Sequence, residues 1–201
     1  MHGRVSNPLP FAVQESVCEV DVANKPKVLF IKYHEAADQQ PLSKKAAEKL
    51  GIFPSLALAQ LAAWLRQHGY QAGIIDLHAE NIFPKDAAPR VREFDPDIVC
   101  LTAKTLGWPA VIEIAQMVKA TCPNATVVVG GPHLSIYPEE SLTWECFDIA
   151  VINDGEEIFL ELCERRETGS ELHTCTGTVA RYPDGSVRRN PEAAIALDGV
   201  E

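Results

Sequence analysis

The residues best suited to chemistry in this sequence lie in short loops that follow apolar segments. The apolar run at 125–129 leads into Gly130 and Gly131, which Pro132 and His133 follow. Glycine has no Cβ atom, so two glycines at the end of a strand allow a flat ligand to approach the backbone closely. An ordinary turn from strand to helix also explains this pair, and it is the commoner reason for such glycines.

Hydroxyl and carboxyl groups occupy two further loops. Thr102 ends the apolar run at 97–102, and Thr105 follows it. Their hydroxyl groups either bond a ligand or cap the next helix. Gly155 and Glu156 begin a later helix, where the helix dipole alone accounts for an acidic residue. These loops predict a ligand site if the fold brings them to one edge.

Catalytic machinery is not evident in the sequence. There is no G-x-S-x-G nucleophile elbow, no G-x-x-x-x-G-K-[ST] phosphate loop and no G-x-G-x-x-G dinucleotide motif. The six cysteines lack the spacing of zinc or iron–sulfur ligands, and Cys100 and Cys163 fall at apolar positions typical of buried free thiols. His34 and His133 lie in strand-end loops and could face a ligand. We therefore expect a binding domain that is not catalytic by itself.

Charge and hydropathy argue against several partners. Lys and Arg number 18 against 28 Asp and Glu, a formal net charge of −10. Nucleic-acid binding needs a basic surface, so we expect no nucleic-acid partner. The N-terminus has no signal-peptide pattern and no apolar run approaches the ~18 residues of a membrane span, so we expect no membrane partner. Free cysteines and the lack of an export signal favour a cytoplasmic protein.

The elements that must position these loops alternate regularly along the chain. Five short apolar segments, separated by helices with an apolar face, predict an α/β fold with a doubly wound, five-stranded parallel sheet. The predicted strands are 27–32, 71–77, 97–102, 125–129 and 148–152. A turn at Pro183-Asp184-Gly185 predicts a C-terminal β-hairpin at the edge of the sheet. Ligands of such sheets bind at the carboxyl ends of the strands, which is where these loops lie.

We expect three regions along the chain. An irregular N-terminal arm covers 1–26, and the sheet domain covers 27–170. The last region, 171–201, contains the hairpin and the segment that would lead toward a catalytic domain. The polar connection at 33–53 is long for a compact domain, and such connections are often functional.

The order of motifs resembles the N-terminal cobalamin-binding domain of cobalamin-dependent radical S-adenosylmethionine enzymes. The resemblance covers about residues 27–198, and its fold is flavodoxin-like, of the Rossmann type. Each motif is loose alone, and the ordered set is specific. The family includes the anaerobic porphyrin-ring cyclase and many cobalamin-dependent methyltransferases. The motifs are the segment from Pro54 to Leu77, Asp95-Pro-Asp-Ile-Val-Cys-Leu-Thr102, Val127-Val-Val-Gly-Gly-Pro-His133 and Asp154-Gly-Glu-Glu157.

This resemblance implies that cobalamin is the cofactor, with its corrin ring over the strand ends and its nucleotide tail in a cleft of the fold. Gly130 and Gly131 would lie along the tail, and Thr102 would be the hydroxyl that ends the third strand. The other implied contacts lie in neighbouring loops, at Thr105, Pro132, His133, Gly155 and Glu156.

Two family motifs are missing. The first strand is followed by Tyr33-His34-Glu35-Ala-Ala-Asp38 instead of D-x-H-x-x-G, so we expect cobalamin without a histidine ligand from that motif, with His34 as the fallback. The C-x-x-x-C-x-x-C motif is also absent, so we expect no iron–sulfur cluster in this chain. The resemblance then implies a cobalamin-binding module without the iron–sulfur barrel. It would work with a radical S-adenosylmethionine catalytic domain in cis or in trans.

Two alternatives remain open at this point. The domain could keep the fold without the ligand and only dock a catalytic partner, which the missing histidine motif permits. It could also be an unrelated enzyme on a flavodoxin-like fold, although no acid–base set for such an enzyme is evident in the sequence.

Overall fold

The computed structural model describes residues 25–34, 55–152 and 154–192. The arm predicted at 1–26, except its last two residues, lies outside the described residues, as does most of the connection at 33–53. None of the helices in the described segments is both long enough and apolar enough to span a membrane.

In the part of the chain that the structure describes, the strands form a single sheet of seven, in the order β2-β1-β3-β4-β5-β6-β7. The first five strands are parallel, as predicted. Their apolar runs are buried because helices cover both faces of the sheet. The strands are β1 (Lys27–Lys32), β2 (Gln71–Asp76), β3 (Ile98–Thr102), β4 (Thr126–Gly130), β5 (Ile149–Val151), β6 (Thr178–Arg181) and β7 (Val187–Arg189).

The predicted count of five strands is wrong for the sheet as a whole. The C-terminal hairpin, β6 and β7, is not a mere appendage, because β6 pairs antiparallel with β5 through Ala150 and Val179 and through Val151 and Thr178. The physical reason is the outer edge of β5, whose backbone groups the hairpin covers and satisfies. Thr178, Val179 and Ala180 are fully buried there.

Six α-helices of the described residues pack on the two faces of the sheet. They are α1 (Leu56–Gln67), α2 (Leu77–Glu80), α3 (Pro84–Phe94), α4 (Trp108–Thr121), α5 (Pro138–Ser141) and α6 (Glu156–Thr168). Buried side chains of α1 and α6 form the core of one face, together with Val28, Phe30 and Cys100. Buried side chains of α3 and α4 form the core of the other face, together with Leu29 and Val127.

Helix boundaries follow capping residues. Ser55 precedes α1, and its hydroxyl accepts a hydrogen bond from the Leu58 amide at 3.5 Å. Helix α3 begins at Pro84, because proline is accommodated at the first helical position and the Asp86 carboxylate accepts from the Phe83 amide at 3.3 Å. Proline and a carboxylate cap therefore extend α3 beyond its apolar pattern.

Candidate functional site

A groove of about 340 Å³ opens between α1 and α6 at the carboxyl ends of β3, β4 and β5. Its volume lies near the lower end of the roughly 300–1,000 Å³ typical of small-molecule sites, enough for one part of a larger ligand. Residues from both helices and three strands line it: Ala57, Leu58, Gln60, Leu61, Cys100, Leu101, Thr102, Gly130, Gly131, Val151, Asp154, Gly155, Glu156 and Phe159.

The wall and the mouth of the groove differ in polarity. Leu58, Cys100, Val151 and Phe159 are all buried and form an apolar inner wall. Gln60, Asp154 and Glu156 are more exposed and bring polar groups to the mouth. The arrangement suits a ligand with a flat apolar part inside and a polar part facing solvent.

The adjacent glycines serve two different purposes. A Cβ atom added to Gly130 would lie 3.7 Å from the Cβ of Val151, which is an ordinary contact distance. The space beside the bare backbone of Gly130 is therefore open and forms part of the groove. Gly131 has a φ of +99°, and a Cβ atom there would lie 2.9 Å from the Ala103 carbonyl oxygen and the Thr102 hydroxyl. Gly131 is therefore required by the approach of the chain to the end of β3.

Hydrogen bonds hold the ends of β3 and β4 together beside the groove. Thr102 and Gly130 are register partners, and the Ala103 amide donates to the Gly130 carbonyl at 2.8 Å. The His133 amide then donates to the Ala103 carbonyl at 3.1 Å. The backbone at the strand ends is consequently fixed before any ligand binds.

A polar bridge spans the mouth of the groove. The Gln60 side-chain amide on α1 donates to a Glu156 carboxylate oxygen on α6 at 2.6 Å. Gly155, which precedes α6, lies so close to the helices that an added Cβ would be 3.3 Å from the Phe159 ring and 3.4 Å from Leu61. Glu156 therefore does more than stabilise a helix start, because it joins the two helices that flank the groove.

Three of the residues implied by the family resemblance do not line the groove. Thr105 and Pro132 are exposed, and His133 is buried against the rings of Trp108 and Tyr137 at 4.4 and 5.5 Å between centroids. The His133 imidazole is within hydrogen-bond distance of the Thr105 hydroxyl at 3.2 Å, and burial lowers its pKa. These three form the rim on the other side of the strand ends, whereas Thr102, Gly130, Gly131, Gly155 and Glu156 line the groove.

His34 lies apart from the groove, beyond the end of β1. Its Nε2 atom is 3.2 Å from the Asn81 side-chain oxygen, and its ring stacks on Phe83 and meets His78 edge-on. Within 25–34, 55–152 and 154–192, no three His, Cys, Asp or Glu side chains converge as they would around a metal ion. His34 is therefore already held by neighbouring side chains.

The described cysteines behave as small apolar residues. Cys100, Cys146, Cys163 and Cys175 are buried and free. Burial raises the pKa of Cys163 and of Cys175 to about 12, so both thiols stay protonated and unreactive near neutral pH. The prediction of buried free thiols at Cys100 and Cys163 is confirmed.

The local sequence does not single out the helical half of the groove. That half is formed by Leu58 and Leu61 on α1 and by Phe159 on α6, which belong to apolar helix faces. One feature of the sequence points to these residues: the apolar face of each helix continues to its first turn, which lies beside the carboxyl ends of the strands.

Comparisons with known proteins add to this geometry. The B12 binding domain family model matches residues 46–163. The uncharacterized methyltransferase PH0819 of Pyrococcus horikoshii is 36% identical over 139 residues, which are 69% of this chain and 30% of that protein. The anaerobic magnesium-protoporphyrin IX monomethyl ester cyclase of Cereibacter sphaeroides is 30% identical over 159 residues, which are 77% of this chain and 24% of the cyclase. The chain thus spans less than a third of the length of these relatives.

A solved structure shares the fold. The cobalamin-dependent S-adenosylmethionine radical enzyme OxsB, with aqua-cobalamin bound, superposes with a TM-score of 0.69 at 18% identity. The superposition covers 85% of this chain and 23% of OxsB. The predicted flavodoxin-like α/β fold is confirmed.

Proposed function

Because the chain belongs to the B12 binding domain family, we propose that it is the cobalamin-binding module of a radical S-adenosylmethionine enzyme of the methyltransferase or cyclase type. Its resemblance to the cobalamin-binding domains of such enzymes is confirmed by the matches above. The observation that carries the proposal is the groove between α1 and α6, which has a bare glycine backbone on one side and buried apolar side chains on the other.

The residues of the groove suit the nucleotide tail of cobalamin. Thr102, Gly130 and Gly131 would hold the tail along the ends of β3 and β4, where the backbone is already fixed. Gly155 and Glu156 would contact it from the start of α6. Thr105, Pro132 and His133, at the rim of the same edge, would support the corrin ring.

The bound cofactor would supply a cobalt–carbon bond for methyl transfer or radical chemistry. The chain itself would bind and orient: the buried wall formed by Leu58, Val151 and Phe159 excludes water from the tail. Burial keeps the His133 imidazole neutral near pH 7, because burial lowers its pKa from the usual 6.5. A neutral rim avoids placing a fixed positive charge against the ring.

We further propose that the cobalt of the bound cobalamin would have no histidine ligand from a D-x-H-x-x-G motif. That motif is absent from the sequence. His34, the alternative ligand, is within hydrogen-bond distance of the Asn81 side-chain oxygen through its Nε2 atom, and its ring stacks on Phe83. Ligation through the Nε2 atom of His34 would therefore require its contact with Asn81 to break.

The partner in this proposal is a radical S-adenosylmethionine catalytic domain, in cis or in trans. The sequence has no C-x-x-x-C-x-x-C motif, so the cluster would come from that domain. Leu106, Ile136 and Tyr137 are 99%, 65% and 45% exposed in the loops after β3 and β4, which suits a covered edge. We propose three regions of the chain, an arm at 1–26, a sheet domain at 27–170 and a C-terminal region at 171–201, whose hairpin completes the sheet.

The test is cobalamin retention. The purified chain, incubated with hydroxocobalamin and passed through a desalting column, should keep about one corrin per chain by its absorption bands. Gly130→Phe should lose them, because the ring would fill the groove beside Val151. The matched control is Thr126→Leu, at the opposite end of the same strand, which should bind like the parent chain.

A folded parent chain without corrin bands would contradict the proposal and leave the ligand-free docking domain as the explanation. Equal retention by Gly130→Phe and Thr126→Leu would place the tail outside the groove.

A further inference from the structure

We propose that the inner wall of the groove selects among corrinoids by their nucleotide base, accepting a benzimidazole or a phenolic base and disfavouring adenine. This inference rests on the proposed function and names the ligand class of the same site. The observation behind it is the chemical uniformity of the wall.

None of the fully buried side chains that line the groove carries a charged, amide or hydroxyl group. Five lining side chains are no more than 3% exposed, and all of them are apolar: Leu58, Cys100, Leu101, Val151 and Phe159. A thiol is only a weak hydrogen-bond donor and acceptor, so Cys100 adds little polarity.

The polar side chains of the groove are all more exposed than these. Thr102 is partly buried at the end of β3, Gln60 and Glu156 are hydrogen-bonded to each other across the mouth, and Asp154 is exposed. The Cys100 thiol stays neutral because burial raises its pKa. A base seated against the inner wall would therefore meet apolar atoms along the edges that these side chains cover.

Adenine and dimethylbenzimidazole differ in what they require of such a wall. Adenine has an exocyclic amine and ring nitrogens that are hydrogen-bonded in water, whereas the corresponding edge of dimethylbenzimidazole carries two methyl groups. Burying an unpartnered polar group is costly, so we expect the adenine form to bind at least about tenfold more weakly than the dimethylbenzimidazole form. A cresol base, which also has an apolar edge, should bind like dimethylbenzimidazole.

The experiment measures dissociation constants of the parent chain for four corrinoids by tryptophan fluorescence quenching or calorimetry. The ligands are cobalamin, the adenine-containing cobamide, the cresol-containing cobamide and cobinamide, which lacks the base. Cobalamin and the cresol form should bind most tightly, with the adenine form about tenfold weaker and cobinamide weaker than cobalamin.

A variant tests the wall itself. Val151→Thr preserves the shape of the side chain and replaces one methyl group with a hydroxyl group. It should therefore reduce severalfold the ratio of the dissociation constants of the adenine and benzimidazole forms. Val127→Thr is the matched control, because Val127 is equally buried in the core on the other face of the sheet. The control should leave the ratio of the two dissociation constants unchanged, and melting temperatures of both variants show whether each one folds.

The outcomes separate the two proposals. No binding of any corrinoid would contradict the proposed function. Tight binding of all three base-containing forms with equal affinity would overturn the selectivity alone, as would cobinamide binding as tightly as cobalamin. An unchanged ratio in a folded Val151→Thr variant would also overturn it.

Discussion

Gly130 and Gly131 illustrate how adjacent identical residues meet different physical requirements. Gly130 has an ordinary backbone conformation and open space beside it, toward Val151. Gly131 has a positive φ and lies against the backbone of Ala103. The first glycine leaves room in the groove, and the second allows β4 to turn over the end of β3.

Alanine substitutions at the two positions should therefore differ in their effect on stability. Gly131→Ala should lower the free energy of unfolding by about 1–3 kcal/mol, because an L-residue is strained at positive φ and its Cβ would press on Ala103. Gly130→Ala should change it by less than about 1 kcal/mol. Urea denaturation followed by circular dichroism measures both, and equal midpoints for the two variants would contradict this assignment.

At the scale of elements, hydrogen bonds of the buried Asn190 side chain hold the two strands of the C-terminal hairpin together. The Asn190 side-chain amide donates to the His173 carbonyl at 2.8 Å and to the Thr178 hydroxyl at 2.9 Å, and it accepts from the Tyr182 hydroxyl at 2.7 Å. Asn190 is itself buried. The network joins both ends of the hairpin, and β6 then protects the edge of β5 beside Val151.

Removal of this side chain should loosen the hairpin. We expect Asn190→Ala to cost about 1–3 kcal/mol of unfolding free energy, because it leaves buried donors and acceptors without partners. Ser186→Ala, in the exposed turn of the same hairpin, is the control and should cost less than about 0.5 kcal/mol. Chemical denaturation of the two variants decides the point. A neutral effect of Asn190→Ala would mean that the strand pairing alone holds the hairpin.

The elements also show what local sequence can predict. The apolar run at Lys27–Lys32 matches β1 residue for residue, and the alternation of strands with helices predicts the parallel sheet. The pairing of Ala150 with Val179 was missed, because neither segment encodes its distant partner. Leu58 and Phe159 were missed as groove residues for the same reason, since their approach depends on how α1 and α6 pack.

For the whole molecule, the groove exists because the chain places α1 and α6 on the same face of the sheet. Thr102, Gly130 and Gly155 come from distant parts of the sequence, and the parallel strands bring them to one edge. That edge also carries the most exposed large apolar side chain among the described residues, Leu106. Ligand and partner are thus both expected at the carboxyl ends of the strands.

Hydrogen–deuterium exchange with and without hydroxocobalamin tests the central claim most directly, because it reports where the ligand binds. Bound cobalamin should slow exchange in peptides that contain the start of α1, Thr102–Thr105, Gly130–His133 and the start of α6. Exchange in β7 should not change. Protection restricted to other segments, or none at all under saturating hydroxocobalamin, would contradict a cobalamin site at this edge.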